Sequence, residues 1–376
     1  MAGRSIMNPE IIERQKKAMT AAGLDALIAI SPENVTYTTG MVVSSQSLMR
    51  WRHAVAVVTA DGRVAMLVID MEETTVRRHA DLKEIRVYRE FTDDPMDELS
   101  ELLMKLGLER ARLGVEMEYL PGRDFLTLQQ ILPRAKLVAA DGIFHKLRQV
   151  KSGAEIDLLR SLSRITDRAI GETLKSARVG MTEMELAGGL VSRIFAGGAE
   201  NFKLMIIASG ERSQYPNVGP TGRTLKKGDV IRMEIFGMKN GCHAGVCRTA
   251  VVQSPTPEQD RIWKNLIECK YLVMEMIKPG AACKEVYQQF LKHFSALGFA
   301  PISFVGHGIG LFLHEKPYLG RYGDETLEEG MVIAIEPLVY IAGRMGLQNK
   351  DMLLVTKSGC ELLSDQTSTD ELMCVG

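Results

Sequence analysis

The 376-residue chain predicts an α/β protein in two parts. Three observations predict it. Strand-like apolar runs alternate with helical periodicity through the first 148 residues. A helix, a glycine break, a second helix and a group of strands then occur twice, at 154–252 and 258–356. Finally, a glycine-and-histidine cluster, Val305-Gly-His-Gly-Ile-Gly-Leu-Phe-Leu-His314, precedes an apolar run interrupted by one acid, Val332-Ile-Ala-Ile-Glu-Pro-Leu-Val339.

Taken in order, residues 9–23 read as a helix, with Ile11, Ile12, Met19 and Leu24 on one face. Leu27–Ile30 reads as a buried strand. Ala54–Thr59 and Val64–Ile69 flank Asp61-Gly62 and read as a hairpin. A strand at 85–88, a helix at 95–106, a strand at 112–116 and a helix at 122–132 complete a small α/β domain over 1–148. Residues 148–155 then act as a hinge.

The second domain, 149–376, opens with a helix over 154–176 that Gly180 ends. Thr182 and Glu185 form a capping box for a helix at 183–195. Strands follow at 204–208, 229–236 and 245–252. The pattern repeats with helices at 258–276 and 283–297, broken by Pro279-Gly280, and strands at 303–305, 310–313, 331–341 and 351–356. An internal duplication of two such halves predicts one curved core with a ligand site between them.

Bulk properties exclude several function classes. Net charge is −1, so nothing selects nucleic acid or an anionic membrane. No run approaches the length of a membrane helix, and the N-terminus lacks the apolar core of a signal peptide. Six cysteines form no CxxC pair, and free thiols predict a reducing, cytoplasmic compartment.

The chemistry centres on His307, His314 and Glu336. Glycines beside His307 let the backbone pass close to its neighbours. A carboxylate in a buried strand is costly unless paired or protonated, so Glu336 needs a partner. Glu315 is expected to be more exposed than Glu336.

The motifs Ala208-Ser-Gly-Glu-Arg212, Gly228-Asp-Val230, Gly306-His-Gly-Ile-Gly310, His314-Glu315, Ile335-Glu-Pro337 and Asp351-Met-Leu-Leu-Val-Thr356 occur in that order, after the hinge Val150-Lys-Ser152. Together they resemble the "pita-bread" family of creatinase, prolidase and aminopeptidase P, over roughly residues 10–365. The resemblance implies a creatinase-type N-terminal α/β domain, a pseudo-twofold C-terminal domain and a homodimer. In the metallopeptidases of the family, two metals are held by Asp, Asp, His, Glu and Glu. Those positions fall here on Glu234, Gly245, His307, Glu336 and Lys350. Two ligands are therefore gone, and a lysine stands where a bridging carboxylate would.

A dinuclear centre needs bridging carboxylates to offset about four positive charges. An ammonium in the same place repels such ions, and can itself neutralise Glu234 and Glu336. We therefore expect no metal cofactor. Resemblance to creatinase further implies that Arg52 reaches across the dimer and anchors a substrate carboxylate in the neighbouring subunit's pocket, for which a guanidinium fork is well suited. The creatinase base falls on Asn217 and its guanidinium-binding glutamate on Cys247, so creatine itself is not the expected substrate.

The expected enzyme is a metal-independent hydrolase of a C–N bond in a small, carboxylate-bearing compound. His307 and His314 shuttle protons; Glu234, Glu336 and Lys350 hold or balance charge; Cys247 is a candidate nucleophile if a histidine activates it and Lys350 lowers its pKa, with packing as a small buried hydrophobe the stronger reading. Arg52, Asn217, Tyr215 and His243 are the expected substrate-binding groups. The alternatives are an Xaa-Pro peptidase with a partial metal site, a lyase, and a binding protein on the same scaffold.

Overall fold

Asn8 caps the first helix, accepting from Glu10 N, with Pro9 at the first helical position and Gly23 closing it in the left-handed region. The computed structural model describes residues 7–49, 51–79 and 82–376, and divides into two compact units, 1–148 and 149–376.

In the first unit the order is α1 (Pro9–Ala22), β1 (Ala26–Ala29), α2 (Pro32–Thr39), α3 (Ser44–Leu48), β2 (Val55–Thr59), β3 (Val64–Ile69), α4 (Glu73–His79), β4 (Glu84–Tyr88), α5 (Pro95–Lys105), β5 (Arg112–Val115), α6 (Gly122–Ile131), β6 (Lys136–Ala139) and α7 (Asp141–Gln149). The strands form one mixed sheet, β4-β3-β2-β1-β5-β6. Apolar residues on its two faces feed two separate clusters: Ile28, Val55, Val57 and Leu67 on one, Leu27, Ala56, Val58 and Met66 on the other. That is the period of two expected of a sheet covered on both sides. The helices α2, α3, α4 and α7 and the strand β6 add to the elements expected from the sequence.

The second unit runs α8 (Gly153–Lys175), α9 (Glu183–Ala196), β7 (Asn201–Ser209), β8 (Val230–Lys239), β9 (Cys242–Val252), α10 (Pro257–Met276), α11 (Cys283–Ala296), β10 (Phe304–Gly308), β11 (Glu315–Gly320), β12 (Val332–Ile335), β13 (Leu338–Ile341), β14 (Met345–Gln348), β15 (Asp351–Val355), β16 (Cys360–Leu362) and β17 (Met373–Val375). Its main sheets are β17-β9-β8-β7 and β11-β10-β12-β15-β16.

The duplication is visible in hydrogen bonds. Gly180 donates to Leu225 O and Gly280 to Leu327 O; Gly228 donates to Val252 O and Gly330 to Val355 O. Gly180 and Gly280 sit at φ 91° and 86°, where only glycine is unstrained. Isolated bridges Thr182↔Thr224 and Ala282↔Thr326 match likewise.

Two expectations change. Residues 310–313 form a bend, and the strand lies later, at Glu315–Gly320. The run 331–341 is split into β12 and β13 at Glu336-Pro337, because proline has no N–H to continue a ladder. All six cysteines are free. Among the described residues no helix is long and apolar enough to cross a membrane.

Candidate active site

Strand pairing assembles the site within the second unit. On β8 and β9, Glu234 lies opposite Cys247, and Phe236 opposite Gly245. On β10, His307 lies opposite Ala334 of β12. Ile335 pairs with Asp351, which sets Glu336 beside Lys350. A backbone bridge between Cys247 and Lys350 then ties the two main sheets together, with Cys247 N to Lys350 O at 3.2 Å and Lys350 N to Cys247 O at 3.1 Å.

Gly306 and Gly308 have a purpose local to this packing. A Cβ on Gly308 would lie 2.2 Å from Lys316 O, and one on Gly306 would lie 2.7 Å from Ala334 O. The glycines thus permit close approach of neighbouring strands on either side of His307.

Lys350 is 1% exposed. Its ammonium lies 3.1 Å from Glu234 Oε1 and 3.2 Å from Glu336 Oε2, and 4.5 Å from the centre of the Phe236 ring. Burial alone would lower its pKa, but Glu336 and Glu234 outweigh that and raise it. Burial pushes Glu336 up, whereas Lys350 and His307 together hold it down at about 2. Lys350 is therefore a cation and Glu336 an anion at neutral pH.

His307 Nδ1 lies 2.8 Å from Gly308 O, so that nitrogen carries a proton and donates. Its Nε2 faces Glu336 Oε1 at 3.2 Å. Neither of those two buried atoms has a hydrogen-bond partner. If Nε2 carries a lone pair, two acceptors confront each other, so the gap calls for a proton or a cation. His314 stacks on His307, with ring centres 3.7 Å apart at 15°. Burial, His307 and Lys350 lower its pKa to about 3, which keeps it neutral.

Other sequence-derived residues fall differently. The Cys247 thiol is completely buried, and burial with Glu234 drives its pKa well above the usual thiol value despite Lys350 nearby. It donates to Gln348 O at 3.8 Å. The environment favours the unreactive thiol, in line with packing rather than nucleophilic attack. Arg52 belongs to the first unit, where its Nε and Nη2 fork onto Glu90 at 2.8 and 3.0 Å. Within one chain the guanidinium thus holds a protein carboxylate, whereas the contact the resemblance implies lies in the neighbouring subunit's pocket. His243 is buried against the bend, with Nδ1 3.2 Å from Gly310 O, and burial lowers its pKa to about 4. Tyr215 and Asn217 are exposed in the loop after β7. Glu315 and Glu336 are equally buried, at 5% each, because Glu315 pairs with Lys151 and accepts from Phe312 N.

Four further residues shape the site. Gln348 Nε2 donates to Glu234 Oε2 at 3.1 Å and Glu336 Oε2 at 3.2 Å. Arg232 Nη1 donates to Gln348 Oε1 at 2.8 Å. Phe236 fills the space beside Gly245, where a Cβ would meet its ring at 2.3 Å. Arg248 donates to Lys350 O at 2.8 Å. The available signal was parity: 232, 234 and 236 share one strand face, as do 348 and 350.

These observations test whether a pair of bridged metals fits. It does not: a lysine ammonium already lies between the two carboxylates, and a phenyl ring fills the place of a ligand at 245. One ion is a different matter. His307, His314 and Glu336 each offer a ligand atom, all within 4.8 Å of one another.

The fold and site define a two-domain α/β scaffold with a buried His–carboxylate–lysine centre. Residues 157–357 match metallopeptidase family M24, and 11–150 match the creatinase/prolidase N-terminal domain. The chain belongs to metallopeptidase family M24, a family of hydrolases acting on C–N bonds. It is similar to an Xaa-Pro dipeptidase of Pyrococcus furiosus, 27% identical over 361 residues, covering 94% of this chain and 97% of that one. It is also 30% identical over 243 residues to the probable dipeptidase PepE of Mycobacterium tuberculosis, covering 64% of each. Among solved structures, the Xaa-Pro dipeptidase from Bacillus anthracis superposes with a TM-score of 0.85 at 25% identity, covering 97% of this chain and 99% of that one. The dipeptidase PepE from Mycobacterium ulcerans gives 0.84 at 26%, covering 97% of each.

Proposed function

We propose that the protein hydrolyses the C–N bond of a small, carboxylate-bearing amide of dipeptide size, using proton transfer and fixed charge in place of a bridged pair of metals. One observation carries this reading: Lys350 Nζ lies within 3.2 Å of both Glu234 and Glu336. The relatives named Xaa-Pro dipeptidase support the substrate size and bond type.

In this reading His314 is the open imidazole. It takes a proton from the attacking water and returns it to the leaving nitrogen. A basicity as low as about 3 suits a resting base poorly. Negative charge developing on the substrate beside the ring raises it, which confines strong proton transfer to the reacting complex. The proton stays on His314 until the leaving nitrogen takes it; His307 packs against the ring and faces Glu336 Oε1 through Nε2 at 3.2 Å, so a buried anion lies near the imidazolium that forms. Lys350 keeps the buried carboxylates compensated throughout. A homodimer in a reducing, cytoplasmic compartment belongs to the same reading, motivated by the family resemblance and the free thiols.

A second reading is favoured by the convergence of His307, His314 and Glu336: one metal held by these three, with cleavage of Xaa-Pro dipeptides. A metal there would act as a Lewis acid toward the scissile carbonyl.

The test is a turnover screen of Xaa-Pro dipeptides, other dipeptides and cyclic amides, run with excess chelator and again with added zinc or manganese. The first reading expects turnover that chelator leaves unchanged and that His314→Ala lowers by roughly 100-fold or more, within the usual range for an acid–base group. Turnover seen only with added metal would replace it with the second.

A further inference from the structure

Four carboxylate oxygens belong to Glu234 and Glu336, and the protein treats them unequally. Glu234 Oε1 takes Lys350, Glu234 Oε2 takes Gln348, and Glu336 Oε2 takes both. Only Glu336 Oε1 is left without a hydrogen bond, and it faces His307 Nε2. Three oxygens are thus occupied by protein donors, and one remains for the chemistry.

That selection depends on which way the Gln348 amide points. Its NH2 end must face the carboxylates; the reverse orientation would set a carbonyl oxygen against two anions. Arg232 decides this, because a guanidinium only donates and therefore fixes the Gln348 oxygen on its own side. Arg232 is fully buried on β8. Its remaining N–H groups reach the carbonyls of Ser213, Tyr215 and Pro216, and the Tyr340 hydroxyl at 3.2 Å. One side chain therefore joins the carboxylate pair to the loop that carries Tyr215 and Asn217.

The structure assigns to Gln348 and Arg232 the role of positioning residues: Gln348 holds the carboxylate pair so that Glu336 Oε1 alone stays open, and Arg232 holds Gln348 in that orientation. The kinetic consequence rests on the hydrolase reading above; the orientation rests on geometry alone.

Two readouts on Q348E, Q348L and R232M separate them. The first needs no substrate. The Gln348 side-chain NH2 signals in a nitrogen–proton NMR spectrum, assigned by their loss in Q348L, shift in E234Q, in E336Q and in R232M. Signals unmoved by E234Q and E336Q overturn the assignment, whatever the enzyme does. The second readout uses the dipeptide or cyclic amide that wild-type protein turns over. Q348E retains a partner for Arg232 but loses the donor to the carboxylates. It therefore loses kcat by about 100-fold, the scale of removing one preorganised donor, with KM little changed. If the role were only to brace the loop, Q348E would keep wild-type kcat while Q348L lost it, and that result overturns the proposal. Should wild-type protein turn over none of these compounds, the hydrolase reading fails, and the NMR result alone decides the orientation.

Discussion

Lys350→Met loses about 3–5 kcal/mol of folding stability, the scale for stripping one partner from a buried ion pair. Turnover goes with it. The reason is local: Glu234 and Glu336 are both buried and share this one ammonium, at 3.1 and 3.2 Å. Gln348 donates to both, but a neutral amide does not compensate two negative charges. The carboxylates then take up a proton or admit water, and either outcome destroys the arrangement on which His307 depends. For a unit of this size the loss is roughly 6–20 °C in melting temperature, measurable by calorimetry. The triple variant Lys350→Met, Glu234→Gln, Glu336→Gln recovers much of the stability and none of the turnover. An unchanged melting temperature in the single variant would show that the ammonium is not compensating buried charge.

Arg248→Met unfolds the second unit by a similar amount, about 3–5 kcal/mol. Arg248 Nη2 lies 3.0 Å from Asp167 Oδ1 and 2.8 Å from Asp351 Oδ1, and Lys270 Nζ lies 2.8 Å from Asp351 Oδ2. All four groups are buried. Asp351 is held far below the ordinary carboxylate range, against its burial, by Arg248 and Lys270, whereas burial pushes Asp167 up. Removing the guanidinium leaves Asp351 to Lys270 and strips Asp167 of its ion pair. It also frees the carbonyls of Cys247 and Lys350, which Arg248 Nη1 holds at 2.9 and 2.8 Å. Asp167→Asn in the same chain restores part of the loss, because Asp167 is the carboxylate that burial already biases toward protonation. Denaturant unfolding of the single and double variants checks both statements. Equal stability of Arg248→Met and wild type would contradict the network.

How much of this was legible in the sequence follows from what each signal encodes. The N-terminal hairpin was legible because Asp61-Gly62 sits between two apolar runs. The duplication was legible because Gly180 and Gly280 mark the same turn twice. Short helices such as α2 and α3 were not, since propensity over five to eight residues is easily overridden by packing. Of the site, Glu234, His307, Glu336 and Lys350 are brought together in the second unit, and each sits on or beside a strand whose apolar neighbours mark it as buried. At Cys247 a nearby Lys350 argues for a lowered pKa and the apolar strand argues for packing, and complete burial outweighs the lysine. For Arg52 a resemblance carries a position but not its local partner within the chain, here Glu90. Gln348 and Arg232 were passed over because polar residues on an apolar strand read as edge positions until the partner strand is known. Phe236 is the clearest case of this kind. Its ring makes sense only beside Gly245, across a register that neither residue reveals alone.

The most direct measurement is the metal content of the native protein after equilibration with excess manganese or zinc, followed by removal of free ions. A lysine seated between Glu234 and Glu336 predicts no bridged pair, with turnover unaffected by the treatment. Two ions retained per chain, with activity that depends on them, would contradict the account.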